Sequence, residues 1–335
     1  MSSLDGYKGP YNPKPRPLPD GEAFISIYNY VPSLALGALA TALFAIAFIG
    51  HTYYFIKGRG IRWFQGLIAF ACAMEIVGYG FRIKSHENPF LVIPFVIQYF
   101  FIVCAPVFVS AALYLSLSYA INLNSANLRV SPVKKKFVAI FITIDSLTTI
   151  VQIVGAALIG VAESKDSRGE STSVSSDQAN NILLVGLALQ CASFLVFLVI
   201  LSIILIRLRN DIKYPKAAAG PSGLIRSHSS NASEPTVRNA EKEGPAFIGE
   251  GHTYTKTFLV ILYITSLLIF LRTVYRLAET AEGVWGTASS NEWLFGLLEF
   301  SPVIAAVLIW LARPLKTEMM RMGMTTLSAG HRNFV

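Results

Sequence analysis

Seven long apolar runs, separated by shorter polar segments, dominate the pattern of hydrophobic and polar positions along the chain. Each run has about 20 or more mostly apolar residues, the length that an α-helix needs to cross the hydrocarbon core of a bilayer. None of them alternates polar and apolar residues as the strands of a membrane barrel do. The pattern therefore predicts an all-α, polytopic membrane protein with seven transmembrane helices, over residues 31–56, 63–83, 92–121, 137–162, 181–206, 257–278 and 293–312.

The polar segments complete the predicted organisation. Residues 1–29 are rich in proline and do not resemble a cleavable signal peptide, so we expect an extended, solvated tail outside the cell. Residues 30–315 hold the seven helices, and residues 316–335 form a cytoplasmic tail. Within the helical domain, the segment 207–256 is rich in Ser, Ala, Gly, Lys and Arg, a composition that predicts a disordered, basic cytoplasmic loop.

Composition excludes several classes of protein. The 335-residue chain is 53% hydrophobic and only 14% charged, whereas a typical soluble domain carries roughly 25% charged residues. A soluble enzyme, a disordered protein and a nucleic-acid-binding domain are therefore poor interpretations, despite the net charge of +8. Most of the Lys and Arg residues lie in loops on one side of the predicted helices, which places the N-terminus outside and the C-terminus in the cytoplasm.

Ionisable side chains inside the spans are functional candidates because an unpaired charge in a bilayer costs several kcal/mol. In the second helix, Glu75, Tyr79 and Arg82 are spaced by four and seven residues, which places them on one face. The sixth helix carries two arginines and a glutamate with the same offsets, and Glu299 lies about 10 Å deeper in the seventh helix than Glu292.

We predict a hydrated or ion-paired cavity that opens outward and is lined by the second, third, sixth and seventh helices. Asp145 and Gln152, seven residues apart, share a face of the fourth helix, and two further glutamines lie in the third and fifth. The alternative is a structural ion-pair network that fixes helix register and binds no ligand. The candidate binding residues are Glu75, Tyr79, Arg82, Gln98, Asp145, Gln152, Gln190, Arg272, Arg276, Glu279 and Glu299.

The sequence argues against an enzyme and implies no metal or other cofactor. The five histidines lie in or beside loops without metal-ligand spacing, and no GxSxG, P-loop or dinucleotide-binding glycine pattern is present. Residues 293–312 contain no lysine, which excludes a retinal Schiff base. A seven-helix receptor fits the topology, but SLSYAINLN ends the third helix and IWLARP the seventh, where receptors have Asp-Arg-Tyr-like and Asn-Pro-x-x-Tyr-like motifs.

Several motifs in the same order resemble the fungal lipid-translocating exporter family, also called RTA-like proteins. They are YVPSLALGALATALFAIAFIGH at 30–51, EIVGYGFR at 75–82, APVFVSAALYLSLS at 105–118, GLALQ at 186–190, RTVYRLAE at 272–279 and EWLFGLLEFSP at 292–302. The resemblance covers about 30–315. It implies a seven-helix fungal protein, usually of the plasma membrane, associated with resistance to toxic amphiphiles and with export of sphingoid long-chain bases. Some relatives are linked to phospholipid asymmetry, sterol-like drugs or porphyrin traffic.

On this basis we expect movement of lipid-like amphiphiles between leaflets. Glu75 and Glu299, with Asp145, would meet a cationic amine or carry a coupling proton. The arginines at 82, 272 and 276 would hold these acids ionised or bind a phosphate or carboxylate, and Tyr79 and Gln98 would hydrogen-bond the headgroup. The alternatives are a lipid sensor that signals through its cytoplasmic loop, and a porphyrin or haem transporter. Expected partners are the lipid, the bilayer and a second copy or a regulator at the loop, but no nucleic acid.

Overall fold

The computed structural model describes residues 9–15, 18–19, 21–26, 28–58, 62–123, 135–166, 175–213, 246–283 and 286–321. Seven helices in these ranges are long and apolar enough to cross a membrane, which confirms the predicted all-α fold and the number of spans. They are α1 (Leu34–Lys57), α2 (Arg62–Glu87), α3 (Val92–Leu123), α4 (Lys135–Asp166), α5 (Ser176–Lys213), α6 (Ala246–Ala281) and α7 (Glu292–Ala312), followed by the short helix α8 (Leu315–Arg321). Which side faces the cytoplasm stays a prediction.

Successive helices run in opposite directions and meet at two ends of the bundle. Asn180 at the start of α5 donates a hydrogen bond to the carbonyl of Thr280 at the end of α6, 3.1 Å away. At the opposite end, Phe64 near the start of α2 packs on Trp310 near the end of α7, with ring centroids 5.0 Å apart. We call these the amino-terminal side, where α1 begins, and the carboxyl-terminal side, where α1 ends.

Small residues allow close approach between α4 and α5. A Cβ atom added at Gly155 would lie 2.7 Å from the backbone nitrogen of Leu183, and one added at Gly186 would lie 2.9 Å from Cγ of Gln152. Helices in lipid gain little from the hydrophobic effect when they associate, so close backbone packing at small residues is a main source of their attraction. These two glycines therefore fix the spacing of this helix pair.

The described part of the N-terminal segment is packed, so the expectation of an extended, solvated tail is wrong there. Asn12 and Tyr28 are buried, and isolated antiparallel bridges join Tyr11 to Ile25 and Glu22 to Leu91. Buried backbone groups must find partners, and these bridges supply them for the segment. The segment therefore lies over the amino-terminal side of the bundle instead of extending from it.

The predicted disordered loop at 207–256 is shorter than expected. Helix α5 continues to Lys213 and α6 begins at Ala246, so both ends of the predicted loop are helical. The remainder, 214–245, lies outside the described residues, as do 322–335 of the predicted C-terminal tail. The beginning of that tail forms α8, in which Leu315 and Glu318 are buried.

Candidate functional site

A network of buried charges joins α6 to α7. Arg272 donates from Nε and Nη2 to Oε1 of Glu299 at 3.0 and 2.6 Å, and Arg276 donates from Nε to Oε2 of the same carboxylate at 2.8 Å. Arg276 also donates from Nη1 to Glu279 at 2.8 Å. We call these four residues the central network. Charges removed from water require such complete pairing, and Arg272 and Glu299 are only 2% and 1% exposed.

A π-helical turn over Phe295–Phe300 orients Glu299. The backbone N–H of Ser301 bonds to the carbonyl of Gly296, five residues earlier, and Pro302 has no N–H to donate. In a regular α-helix, Glu292 and Glu299 would lie on one face because they are seven residues apart. The extra residue in the turn rotates the helix by about 100°, so the two carboxylates reach different neighbours. Regular helical periodicity does not indicate this turn, for which the sequence offers Pro302 as a local signal.

A second group of polar contacts, the N-terminal network, lies nearer the amino-terminal side. Nη2 of Arg82 donates to Glu292 at 2.6 Å and to the hydroxyl of Tyr30 at 3.0 Å, and the backbone N–H of Ser33 donates to the same carboxylate at 2.8 Å. The guanidinium also lies 4.2 Å from the ring centroid of Phe295, a cation–π contact. Arg82 was expected to hold Glu75 or Glu299 ionised, but its ion-pair partner in the structure is Glu292.

Glu75 lies beside the central network without joining its hydrogen bonds. It is 2% exposed, and its Oε2 atom has no hydrogen-bond partner. Arg272, Arg276 and Glu299 act on it only through space. The two networks and Glu75 together contain three arginines and four glutamates, so they carry one excess negative charge when all are ionised: Arg82, Arg272 and Arg276 against Glu75, Glu279, Glu292 and Glu299.

Tyr79 and Gln98 have partners within the protein. The ring of Tyr79 stacks on Phe44 with centroids 5.8 Å apart. Oε1 of Gln98 lies 2.7 Å from the hydroxyl of Tyr28, which also lies 2.8 Å from Ser85. Burial raises the pKa of Tyr28, so its hydroxyl stays neutral at physiological pH. Gln98 therefore anchors the N-terminal segment to α3, a contact that sequence spacing could not indicate.

The structure separates Asp145, Gln152 and Gln190 from the other candidates. The hydroxyl of Tyr114 on α3 donates to Oδ2 of Asp145 at 2.6 Å, and Gln152 on α4 donates to Oε1 of Gln190 on α5 at 2.7 Å. Within the described ranges, no hydrogen bond or ion pair links these four residues to the central network. We call them, with the adjoining Ser193, the Asp145 cluster. The predicted site is thus two sites.

The expectation that all five histidines lie in or beside loops is wrong for His51. This side chain is fully buried in α1, with Nδ1 2.6 Å from Oε1 of Gln65 and Nε2 3.2 Å from the carbonyl of Val307. It connects α1, α2 and α7 near the carboxyl-terminal side. Sequence reasoning missed the contact because its partners are 14 and 256 residues away in the chain.

The fold and the buried networks define a polytopic α-helical membrane protein with charged side chains enclosed among its helices. Comparison with known families matches residues 68–317 to the RTA1 like protein family, and the chain belongs to this family. This confirms the resemblance drawn from its motifs. No solved structure matches the chain.

Three similar proteins from Saccharomyces cerevisiae indicate the range of the family. The sphingoid long-chain base transporter RSB1 is 28% identical over 86% of this chain and 74% of its own length. Protein RTA1 is 22% identical over 85% of this chain and 83% of its own length. Protein RTM1 is 22% identical over 72% of this chain and 64% of its own length.

Proposed function

We propose that this protein moves single-chain lipids with a cationic amine headgroup, such as sphingoid long-chain bases, between the leaflets of the plasma membrane without converting them chemically. The observation that carries the proposal is Glu75, a buried carboxylate with an unpartnered oxygen beside arginines that are already paired. An ammonium group supplies both the missing hydrogen bond and the missing positive charge. The name of the similar yeast transporter supports the same class of substrate.

The proposed roles follow from the contacts. Glu75 binds the amine, and the central network keeps Glu299 ionised and paired so that Glu75 alone is open to the ligand. Tyr79 forms an aromatic wall beside the headgroup, while the hydrocarbon chain lies against the apolar outer surface of the helices. The sequence has no nucleotide-binding motif, so movement is downhill, proton-coupled or driven by a partner.

The test uses purified protein in liposomes with a fluorescently labelled long-chain base and no other protein. We expect wild type to move the base between leaflets and Glu75→Gln to reduce the rate at least tenfold, because a charge-assisted hydrogen bond contributes about 1.5–3 kcal/mol. Glu87→Gln, which makes the same substitution in an exposed ion pair at the end of α2, is the matched control and should keep the wild-type rate.

Two outcomes contradict the proposal. Equal rates for Glu75→Gln and wild type would remove Glu75 from the site. Binding of the base to wild type without any movement would favour the alternative, a lipid sensor that signals through its loops. A parallel growth assay checks the cellular role: expression in a sensitive yeast strain should raise tolerance to added long-chain base, and Glu75→Gln should not.

A further inference from the structure

The Asp145 cluster contains a second buried carboxylate with an unsatisfied oxygen. Asp145 is 1% exposed, and its Oδ2 atom accepts a hydrogen bond from Tyr114 at 2.6 Å. Its Oδ1 atom makes no hydrogen bond of ordinary geometry, and neither does the buried hydroxyl oxygen of Ser193, although this hydroxyl adjoins the carboxyl group from α5 closely enough to act on it as a weak donor. A buried carboxylate with only one well-formed hydrogen bond is unusual, since buried polar groups in folded proteins almost always find partners.

No cation compensates this carboxylate within the described part of the chain. The groups that act on Asp145 are Tyr114 of α3 and Ser193 of α5, and no described Lys, Arg or His forms an ion pair with it. Thr148 and Thr149, which follow it on α4, donate their hydroxyls to the backbone carbonyl of Asp145 instead of to its side chain. An ionised, unpaired carboxylate in such a place costs several kcal/mol, so the site requires one positive charge.

The surroundings favour a proton over a larger cation. A metal ion such as Ca²⁺ or Mg²⁺ takes six or more oxygen ligands, whereas this location offers the free oxygens of only Asp145 and Ser193. An ammonium headgroup needs space, but the ring of Tyr114 packs against Phe197 and Phe141 with centroids 4.6 and 5.4 Å away. A proton on Oδ1 needs no space and removes the uncompensated charge, and the resulting O–H can donate to the hydroxyl oxygen of Ser193.

We propose that Asp145 is a reversible proton-binding site, separate from the amine site at Glu75. The bond formed is the O–H bond of the neutral carboxylic acid, and the proton returns to water when the group ionises. Asp145 lies ten residues, about 15 Å, from the start of α4, in the half of the bundle nearer the carboxyl-terminal side, whereas Arg272 and Glu299 lie nearer the opposite side. The two halves can therefore exchange different cations with opposite sides of the membrane.

Proton binding itself does not depend on the proposed function, but its coupling to lipid movement does. Two measurements keep these claims apart. The first is the pH-dependent infrared difference spectrum of purified protein, in which a neutral carboxyl group gives a distinct C=O stretching band. We expect one such band to disappear in Asp145→Asn and to persist in Ser146→Ala, which changes the neighbouring exposed position of the same helical turn.

Two further variants guard against a folding defect in Asp145→Asn. Asp145→Glu keeps the carboxyl group and should keep a titrating band. Tyr114→Phe removes the hydrogen bond to Oδ2 but preserves the ring, and it should shift the frequency of the band. The proton site would be overturned if every folded variant gave the same spectrum as wild type in the carboxyl region.

The second measurement follows the labelled base in liposomes with and without a pH difference across the membrane. We expect the gradient to change the rate several-fold in wild type and to have no effect in Asp145→Asn, whose rate without a gradient is measurable. An unchanged gradient response in Asp145→Asn would overturn the coupling. A wild-type protein that moves no base, but whose carboxyl band depends on Asp145, would refute the proposed function and leave the proton site intact.

Discussion

Neutralising Glu299 tests whether the central network stabilises the bundle. The carboxylate accepts two hydrogen bonds from Arg272 and one from Arg276. In Glu299→Gln, the amide oxygen still accepts a hydrogen bond, but Arg276 keeps an anionic partner in Glu279, while Arg272 is left with neutral acceptors only, among them the backbone carbonyl of Ile102 at 3.1 Å. Removal of one partner from a buried ion pair costs about 3–5 kcal/mol. We expect about 3 kcal/mol, the lower end of this range, because Glu75 also acts on Arg272 through space.

The assay is equilibrium unfolding in mixed micelles, in which a denaturing detergent is titrated and helix content is followed by circular dichroism. The matched control is Glu87→Gln, the same substitution in an exposed pair, for which we expect no measurable change. The double variant Arg272→Met with Glu299→Leu should lose less stability than the sum of its single variants, since it leaves fewer buried charges unpaired. A Glu299→Gln protein as stable as wild type, or fully additive single variants, would refute this account of the network.

Three further predictions concern packing and the N-terminal segment. Gly155→Ala should destabilise the bundle by about 1–3 kcal/mol because its Cβ would meet backbone of α5, whereas Gly80→Ala, with nothing within 4 Å of the added atom, should be neutral or stabilising in the same titration. His51→Leu should cost about 1–3 kcal/mol, since it leaves the buried Oε1 atom of Gln65 without its hydrogen bond. The hydrogen bond from Lys14 lowers the pKa of Glu22 in the folded protein. The contribution of Glu22 to the stability of the folded N-terminal segment is therefore complete above its unfolded pKa of about 4.3, and it is lost as the pH falls through the lower folded value. Hydrogen-exchange protection of the N-terminal segment should therefore fall on acidification in wild type but not in Glu22→Gln.

The helices were predictable because lipid permits few alternatives for the backbone. An apolar run of spanning length has to satisfy its own peptide groups, so length and composition alone located all seven spans. Helical spacing also placed Arg272 and Arg276 on one face, where they meet a common carboxylate. These are local properties of the chain, which a sequence displays directly.

The partners of the buried charges were not predictable, because they depend on long-range contacts and on one irregular turn. Arg82 meets Tyr30 and Glu292, which are 52 and 210 residues away in the chain. The π-helical turn around Gly296 directs Glu299 and Glu292 to different helices, an effect that regular periodicity cannot reveal. Tyr114 lies in an apolar run where it resembles an ordinary packing residue, although it hydrogen-bonds Asp145.

The N-terminal segment has a consequence for the direction from which a ligand arrives. Tyr28 and Tyr30 hold this segment across the amino-terminal side through Gln98 and Arg82, so a solute in water meets folded backbone before it reaches Glu75. The outer faces of the helices carry exposed apolar side chains, such as Leu39, Ile46 and Val185, which molecules dissolved in the bilayer contact directly. We therefore expect lateral entry, in which the concentration that governs occupancy is the mole fraction of the compound in the lipid. Compounds of equal charge should then rank by how strongly they partition into the membrane.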